Sequence, residues 1–454
     1  MTYFFETYGC QMNSAESAAM DLVFRERGWQ RAATGESADL VLLNTCSVRE
    51  TAEKRVLGRV ALYESMKKKR PFTLIAAGCM AERLGEGLKT KAPGIDFVLG
   101  TARRSQLSLI LEALEQGAAP ACPSVAKPMD TLQPDEEKPV FAFSPFHFQE
   151  PAAGERTIRS FVPIMQGCNN FCSYCIVPYV RGREASREPA AILEEIRLLG
   201  ERGIREITLL GQNVNSYSLG TVDFSRLLET IAAGIAKTGI KWVRFLSANP
   251  RNFSSRTIQV LADNPAFCRH LHLCVQHGSD RVLQGMNRGY TRKRYLDLVD
   301  EIRQAMPDIT FSTDILIGFP GETEEDLAET LTLMDQVRFL YAYMYHYNPR
   351  EGTAAYSLPN RIDAAVKGER LSRVIALQGK HTRELLLGRL GSREQVLVEG
   401  ISRKNADELI ARTTHDEMVA VPGGSDSIGT FGELTLSALK GNTFHAEAIE
   451  CFEY

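Results

Sequence analysis

The chain has 454 residues, of which 44% are hydrophobic and 24% are charged, and this composition excludes collagen-like and disordered proteins. No run of about 18 apolar residues occurs and residues 1–5 do not resemble a signal peptide, so we expect a cytoplasmic protein without a membrane partner. The formal net charge of −3 argues against nucleic-acid binding through bulk charge. Ten cysteines in such a chain favour metal or redox chemistry over disulfide bonds.

Residues 1–116 repeat a short apolar strand, a loop and a helix, and the first three loops each carry a cysteine. The first helix is predicted to begin after an N-cap at Asn13 or Ser14. Apolar strands that alternate with helices predict a doubly wound parallel sheet, and we place them at 3–7, 40–43, 73–77 and 95–99. Cys10, Cys46 and Cys79 each follow a strand, and the carboxyl ends of parallel strands share one edge. We therefore expect the three thiols to converge; the alternative is three unrelated buried cysteines.

The rest of the chain divides into three parts. Residues 117–155 lack sustained periodicity and are predicted to form a linker. Residues 156–388 resume the strand–helix alternation and predict a partial (βα)6 barrel, with strands at 161–166, 206–210, 242–247, 270–276, 310–317 and 341–347. Residues 389–454 contain short alternating runs that predict a small antiparallel β-barrel. The fold class is thus α/β with a C-terminal β module.

Cys168, Cys172 and Cys175 lie close together on one predicted loop after the first barrel strand. Three neighbouring thiolates suit three irons of a 4Fe–4S cluster and leave the fourth iron open for a chelating small molecule. A zinc site is the alternative, but it needs a fourth Cys or His nearby, and the next histidine along the chain is His270. Tyr174 offers a flat surface beside this site.

The spacing of these three cysteines resembles the radical S-adenosylmethionine (SAM) superfamily, in which the cluster reduces SAM to a 5′-deoxyadenosyl radical. Segments 7–13, 44–50 and 77–81 resemble the three N-terminal motifs of methylthiotransferases. Segment 209–217 resembles the branch of that family that acts on isopentenylated adenosine in tRNA. The C-terminal module resembles a TRAM domain, so the similarity covers nearly the whole chain.

This resemblance implies a transferase that converts N6-isopentenyladenosine beside the anticodon to its 2-methylthio derivative by radical C–H activation. It implies SAM and two 4Fe–4S clusters as cofactors, the second on Cys10, Cys46 and Cys79. It also implies a tRNA carrying isopentenylated adenosine, a reductant protein and a sulfur donor as partners, and we expect a monomer. Alternatives are a methylthiotransferase of threonylcarbamoyl-adenosine tRNA or of a ribosomal protein, and a non-enzymatic iron–sulfur sensor that binds RNA.

Three polar residues follow barrel strands and are expected to contact SAM. Gln212 and Asn213, after the second strand, are predicted to bind its methionine end, or alternatively to cap a polar loop. Gln276, after the fourth strand, is predicted to contact its ribose.

The family usually has proline and serine where this chain has Cys274 and His277. We expect Cys274 to be a packed thiol and His277 to fill space, although a change in ribose contact is the alternative for His277.

The fifth and sixth barrel strands supply three further candidates. Asp314 and Gly318 lie in a segment whose glycines would let the backbone approach the adenine of SAM, or would simply form a tight strand-to-helix turn. Arg350 follows the sixth strand and is predicted to hold a phosphate or carboxylate, against the alternative of a surface ion pair.

The charge is unevenly distributed along the chain. Residues 1–150 carry −1, residues 151–384 carry +3 and residues 385–454 carry −5. Segments 241–256 and 281–294 contain four and five basic residues and no acidic residue. These segments are predicted to contact RNA phosphates or, equally, to be solvated faces. The near-neutral total therefore does not exclude a tRNA partner.

Overall fold

A computed structural model describes residues 1–47, 50–117, 147–148 and 156–452. Most of the predicted linker, including Cys122, lies outside the described residues. Within it, Phe148 is buried against the core of the barrel. Among the described helices, none is both long and apolar enough to cross a membrane.

The N-terminal region is a five-stranded parallel sheet with strand order β2-β1-β3-β4-β5, which confirms the predicted fold class. Its elements are β1 (Thr2–Thr7), α1 (Gln11–Glu26), β2 (Gln30–Arg31), β3 (Leu40–Thr45), α2 (Glu50–Lys67), β4 (Thr73–Gly78), α3 (Cys79–Leu84), α4 (Gly87–Lys91), β5 (Phe97–Leu99) and, after a 3-10 turn at Thr101–Gln106, α5 (Leu107–Glu115).

The predicted start of the first helix was wrong, because α1 begins at Gln11 with Cys10 as its N-cap. Asn13 is not a cap but a buried helical residue. Its side-chain amide donates to Asn44 Oδ1 and to the carbonyl oxygen of Thr45, both at 3.0 Å. Asn13 therefore joins the start of α1 to the end of β3, a long-range contact that a local capping rule does not reveal.

The central region contains six parallel strands in two hydrogen-bonded groups, β6-β9-β12 and β13-β14-β15. Isolated parallel bridges, including Ala248 with Leu273, connect the groups, which confirms the partial barrel. The elements are β6 (Arg159–Pro163), β7 (Met165–Gln166), α6 (Val177–Arg181), β8 (Ala185–Ser186), α7 (Pro189–Glu201), β9 (Glu206–Leu210), β10 (Ser218–Leu219), β11 (Val222–Asp223), α8 (Phe224–Ile235), β12 (Trp242–Phe245), α9 (Ser255–Asp263), β13 (His270–His272), α10 (Asp280–Gly285), α11 (Arg292–Ala305), β14 (Thr310–Ile317), α12 (Glu324–Val337), β15 (Tyr341–His346) and α13 (Ala364–Gly388).

Four of the six barrel strands end before their predicted limits, and the first and fourth do so by three or four residues. The first ends at Pro163, and the separate strand β7 pairs antiparallel with β8 instead of continuing the barrel. The fourth ends at His272, and Gln276 adopts a φ of +73° beyond it. In both places the chain leaves the regular ladder directly before residues that line the candidate site.

The C-terminal region is a seven-stranded sheet with order β20-β21-β18-β17-β16-β19-β22. Its strands are β16 (Arg393–Ile401), β17 (Glu408–Thr413), β18 (Met418–Pro422), β19 (Phe431–Thr435), β20 (Ala438–Lys440), β21 (Thr443–His445) and β22 (Glu450–Phe452). The β module is confirmed, although β18 and β21 pair in parallel while the other pairs are antiparallel. Two separate strands, β19 and β20, form at 431–440, because the buried Leu436 leaves the ladder and its N–H donates to the carbonyl oxygen of Ser392.

Candidate functional site

The barrel cysteines lie on a tight loop that begins directly after β7. Gly167 has a φ of +81°, and a Cβ at this position would lie 2.0 Å from the carbonyl oxygen of Arg183, so the turn requires glycine. The N–H of Cys175 donates to the carbonyl oxygen of Cys172 at 2.9 Å, which closes the second half of the loop. One continuous segment therefore brings the three thiols together.

Burial disfavours ionisation of two of these thiols, those of Cys168 and Cys175. It raises the pKa of Cys168 to about 11 and that of Cys175 to about 12. Cys172 contributes to both increases, because a neighbouring thiolate disfavours a second negative charge. A bound metal centre reverses this preference, since its positive charge stabilises thiolate ligands.

The N-terminal cysteines meet at the carboxyl edge of the parallel sheet, as its topology predicts. Cys10 follows β1, Cys46 follows β3 and Cys79 is the first residue of α3 after β4. A Cβ on Gly9 would lie 2.8 Å from Cys46 Cβ, so the loops after β1 and β3 are in close contact. Burial raises the pKa of Cys79 to about 12, and the proximity of Cys46 and Cys10 adds to this increase.

Cysteines from both groups line one cavity of about 580 Å³ between the sheet and the barrel. Cys10 and Cys46 lie on one side, and Cys175 with Tyr174 lies on the other. Much of the remaining wall comes from barrel strands and the loops that follow them: Leu246, Ser247, His272, Gln276, Asp314, Leu316, Tyr343, Tyr345 and Asn348 are among these residues. A ligand in this cavity could contact both cysteine sites.

A buried ion-pair cluster holds the two sides of the cavity together. Glu16 of α1 is 2% exposed and pairs with Arg181 of α6 at 2.5 Å and with Arg104 at 2.9 Å. Burial alone would raise the pKa of Glu16, but the two arginines lower it below its ordinary value. Cys79 also packs against Val180 of α6. The N-terminal sheet is thus joined to the barrel beside both cysteine sites, next to the loop that carries Cys168, Cys172 and Cys175, which is called the cluster loop below.

Gln212 and Asn213 are not among the described residues that line the cavity. Gln212 Oε1 accepts a hydrogen bond of 2.6 Å from the N–H of Gly167, so this side chain holds the start of the cluster loop. Asn213 is buried, and its Nδ2 donates to Glu184 at 3.0 Å. Asn213 Oδ1 is buried without a hydrogen-bond partner among the described residues.

Gln276 and Asp314 line the cavity, whereas Gly318 does not. The N–H of Gly318 donates to Glu322 Oε2 at 2.6 Å, and a Cβ at this position would lie 2.4 Å from Lys367 Cγ. With a φ of +76°, Gly318 forms a turn packed beneath α13. This geometry matches the strand-to-helix turn that was the alternative interpretation of the segment.

Arg350 also lines the cavity, but its side chain is paired. Its guanidinium lies 3.2 Å from Glu53 of α2, and only 10% of the Arg350 side chain is exposed. Glu53 also binds Arg83 and Ser47, which directly follows Cys46. The pair is half-buried and not a fully exposed surface ion pair, and it connects the segment after the sixth barrel strand to α2 and the loop of Cys46.

The two positions that depart from the family pattern are both buried. His277 is fully buried, and its Nδ1 accepts from the N–H of Ser279 at 3.1 Å. Its Nε2 lies 3.3 Å from Glu322, so the ring both fills space and hydrogen-bonds. Cys274 is 7% exposed, as expected of a packed thiol. Burial raises the pKa of Cys274 well above its ordinary value.

His272, Cys274 and Asp314 lie close enough to suggest a further metal site. The backbone N–H of Ser247, however, donates to His272 Nδ1 at 3.1 Å. In the neutral ring the proton then lies on Nε2, which faces Asp314 at 3.7 Å and has no lone pair for a metal. Burial lowers the pKa of His272, which favours this neutral form.

Arg288 and His272 are neighbours of the site that no motif in the sequence indicates. Arg288 Nη1 donates to Cys172 Sγ at 3.2 Å, although this arginine belongs to the basic segment 281–294 that was interpreted as a surface or an RNA contact. His272 lies within a predicted strand and carries no motif of its own. Only tertiary structure brings these side chains to the cavity.

Comparison with protein families divides the chain into three. Residues 2–100 match the uncharacterized protein family UPF0004, residues 162–334 match the Radical SAM superfamily and residues 389–449 match the TRAM domain. The first of these carries Cys10, Cys46 and Cys79, and the second carries Cys168, Cys172 and Cys175.

Curated relatives are similar over nearly the full length. A tRNA-2-methylthio-N(6)-dimethylallyladenosine synthase from Treponema denticola is 47% identical over 98% of this chain and 99% of its own length. Proteins with the same name from Treponema pallidum and Syntrophus aciditrophicus are 46% and 39% identical, over 99% and 98% of this chain and 99% and 95% of their own lengths.

Among solved structures, the radical SAM methyltransferase TsrM from Kitasatospora setae has a similar fold. Its complex with tryptophan and a SAM analogue gives a TM-score of 0.61 at 16% identity, covering 78% of this chain and 75% of that chain. At this identity the likeness supports the fold alone.

Proposed function

The chain belongs to the family of tRNA-2-methylthio-N(6)-dimethylallyladenosine synthases, and we propose from this membership that it converts N6-isopentenyladenosine beside the anticodon of tRNA to its 2-methylthio derivative. It is a radical SAM transferase with a tRNA substrate, and its family implies SAM and a 4Fe–4S cluster. The structural observation that supports this proposal is the cavity, which is lined by cysteines from both halves of the molecule.

The barrel loop fits a cluster with three protein ligands. Cys168 and Cys172 are buried and Cys175 is half-buried, and no other cysteine shares their loop. A cluster bound here would supply the electron that cleaves SAM to a 5′-deoxyadenosyl radical. The loop holds the ligands through Gly167 and Gln212, and it leaves one face toward the cavity.

A second cluster is proposed on Cys10, Cys46 and Cys79. Three thiols at one sheet edge, two of them lining the cavity, match the donor set of the first site. A cluster here would hold the sulfur that is transferred. The ion pairs of Glu16 with Arg181 and Arg104 would fix its distance from the barrel loop.

Other side chains are proposed to bind and orient the reactants. Gln276 and Asp314 present polar groups to the cavity and are assigned to SAM. Gln212 is assigned an indirect role through the N–H of Gly167. Contacts of SAM with Asn213 and Gly318 stay predictions.

For Arg350 the proposed role is to hold the cavity wall against Glu53, because its guanidinium is already engaged there.

The tRNA substrate favours a cytoplasmic location. A reductant protein and a sulfur donor are required by the chemistry, and a monomer is the proposed state.

The proposal is tested with anaerobically reconstituted protein, SAM, a reductant and tRNA that carries isopentenyladenosine. We expect a methylthio nucleoside on the tRNA and 5′-deoxyadenosine in solution, both measured by liquid chromatography and mass spectrometry. Product only with threonylcarbamoyl-adenosine tRNA, or labelling of a ribosomal protein instead, would identify a sister activity. Cluster binding without any 5′-deoxyadenosine would identify a non-enzymatic sensor.

A further inference from the structure

Arg288 is a buried cation beside the barrel cysteines. It lies between α10 and α11 and is 6% exposed. Its guanidinium donates from Nη1 to Cys172 Sγ at 3.2 Å, from Nη2 to the carbonyl oxygen of Cys274 at 3.0 Å and from Nε to Tyr290 Oη at 3.0 Å. Each of the three guanidinium nitrogens therefore has a partner, and one partner is a cluster ligand.

The turn that carries Arg288 is fastened directly to the cluster loop. Asn287 Nδ2 donates to the carbonyl oxygens of Asn170 at 3.1 Å and Phe171 at 3.0 Å. In return, the N–H of Ser173 donates to the carbonyl oxygen of Met286 at 3.0 Å. These bonds, made by the two residues that precede Arg288, hold the turn that carries the guanidinium against the loop of the three thiols.

Arg288 differs from the other buried arginines in its counter-charge. Four of them each pair with a carboxylate: Arg181 with Glu16, Arg187 with Glu195, Arg244 with Glu206 and Arg370 with Glu322. Among the described residues, no carboxylate forms an ion pair with Arg288. A buried cation without an anion is costly. The anion that the geometry offers is the sulfur of Cys172, which is a thiolate when it binds iron.

We propose that Arg288 raises the reduction potential of the cluster held by Cys168, Cys172 and Cys175. The inference rests on the proposed function, because it requires that cluster. A one-electron reduction adds negative charge to the cluster and its thiolates. A fixed cation that hydrogen-bonds to one thiolate stabilises the reduced form more than the oxidised form, so the electron is accepted from a weaker reductant.

The test is a redox titration of the cluster followed by electron paramagnetic resonance. The parent is the full-length chain with Cys10, Cys46 and Cys79 replaced by alanine, so that one cluster reports. Arg288→Gln should shift the midpoint potential to more negative values, and Arg288→Lys, which keeps the charge, should shift it less. Tyr290→Phe is the matched control, because it removes a partner of Arg288 but no charge.

An unchanged midpoint in Arg288→Gln with full iron content would overturn the inference, and so would an equal shift in Tyr290→Phe. Absence of any cluster in the parent would instead refute the proposed function together with it. If Arg288→Gln fails to assemble a cluster, the parent itself is labelled with ¹⁵N-arginine. Electron spin-echo modulation from a ¹⁵N nucleus near the reduced cluster is then expected, and its absence would contradict the assignment.

Discussion

The two cysteine sites share one cavity but are built in opposite ways. The barrel site is a single loop in which local backbone geometry, centred on Gly167, positions the three thiols. The N-terminal site collects Cys10, Cys46 and Cys79 from three strand ends. The first depends on one turn, and the second depends on the register of a whole parallel sheet. Substitutions in the barrel site and substitutions in the N-terminal site should therefore have different effects.

The largest expected effect is that of Cys172→Ala, which removes one of the three proposed ligands from the barrel loop. We expect neither 5′-deoxyadenosine nor methylthio nucleoside, because the proposed transfer depends on the radical formed by SAM cleavage. Chromatography of the reaction mixture measures both. Cys268→Ala removes a thiol outside both sites and should keep both products; retention of SAM cleavage by Cys172→Ala would contradict the barrel assignment.

Cys46→Ala should separate the two sites. The barrel loop is untouched, so 5′-deoxyadenosine should still form, while the methylthio nucleoside should be lost with the second cluster. The same two chromatographic assays measure the effect. Methylthio product at the parental level from this variant would remove the N-terminal site from the mechanism.

Gly167→Ala should damage only the loop-built site. An alanine Cβ would meet the carbonyl oxygen of Arg183, so the loop must move and the iron content of the barrel site should fall. Gly203→Ala is a matched control, because Gly203 has a φ of +82° but no atom lies within 4 Å of the position that its Cβ would take. Equal iron content in the two variants, measured by colorimetry, would show that crowding at Gly167 does not matter.

Glu16→Gln should weaken the ion pairs that connect the N-terminal sheet to the barrel, without changing any cysteine of either site. Removing a buried carboxylate leaves Arg181 and Arg104 without their partner, at a cost of about 3–5 kcal/mol in the free energy of unfolding. Chemical denaturation measures this, with Glu194→Gln in the exposed pair with Arg197 as control. A decrease in the free energy of unfolding no larger than that of the control would contradict a structural role for the ion pairs of Glu16.

The ion pairs of Glu16 with Arg181 and Arg104 also predict the smallest effect, a pH dependence of the free energy of unfolding. The pKa of Glu16 is lower in the folded chain than its ordinary value of 4.5. Its contribution to stability is therefore complete above pH 4.5 and declines as the pH falls toward the folded pKa. Glu16→Gln should flatten the stability profile in that acidic range, and an unchanged profile would argue against the ion pair.

The sequence was sufficient for the parallel sheet, because uninterrupted apolar runs such as 40–43 leave few other folds. It also predicted that Cys10, Cys46 and Cys79 meet, since strand ends of a parallel sheet share an edge. It failed at Asn13, whose inward contact with Asn44 outweighs its preference for a cap.

Side-chain partners at the site were beyond the sequence for a related reason. Gln212 and Arg350 follow strands as predicted, yet one binds the N–H of Gly167 and the other binds Glu53. Arg288 resembles any surface arginine in the sequence, and only the packing of α10 against the cluster loop brings it to Cys172. Sequence patterns predict where loops occur, whereas the hydrogen-bond and ion-pair partners of a side chain depend on contacts between segments that are distant in the sequence.

The most direct test of two clusters around one cavity is a count of iron and sulfide in anaerobic protein. Intact protein should hold about eight of each per chain, and replacement of either cysteine triad by alanine should leave about four. About four in the intact protein, with no further loss when Cys10, Cys46 and Cys79 are replaced, would contradict the central claim.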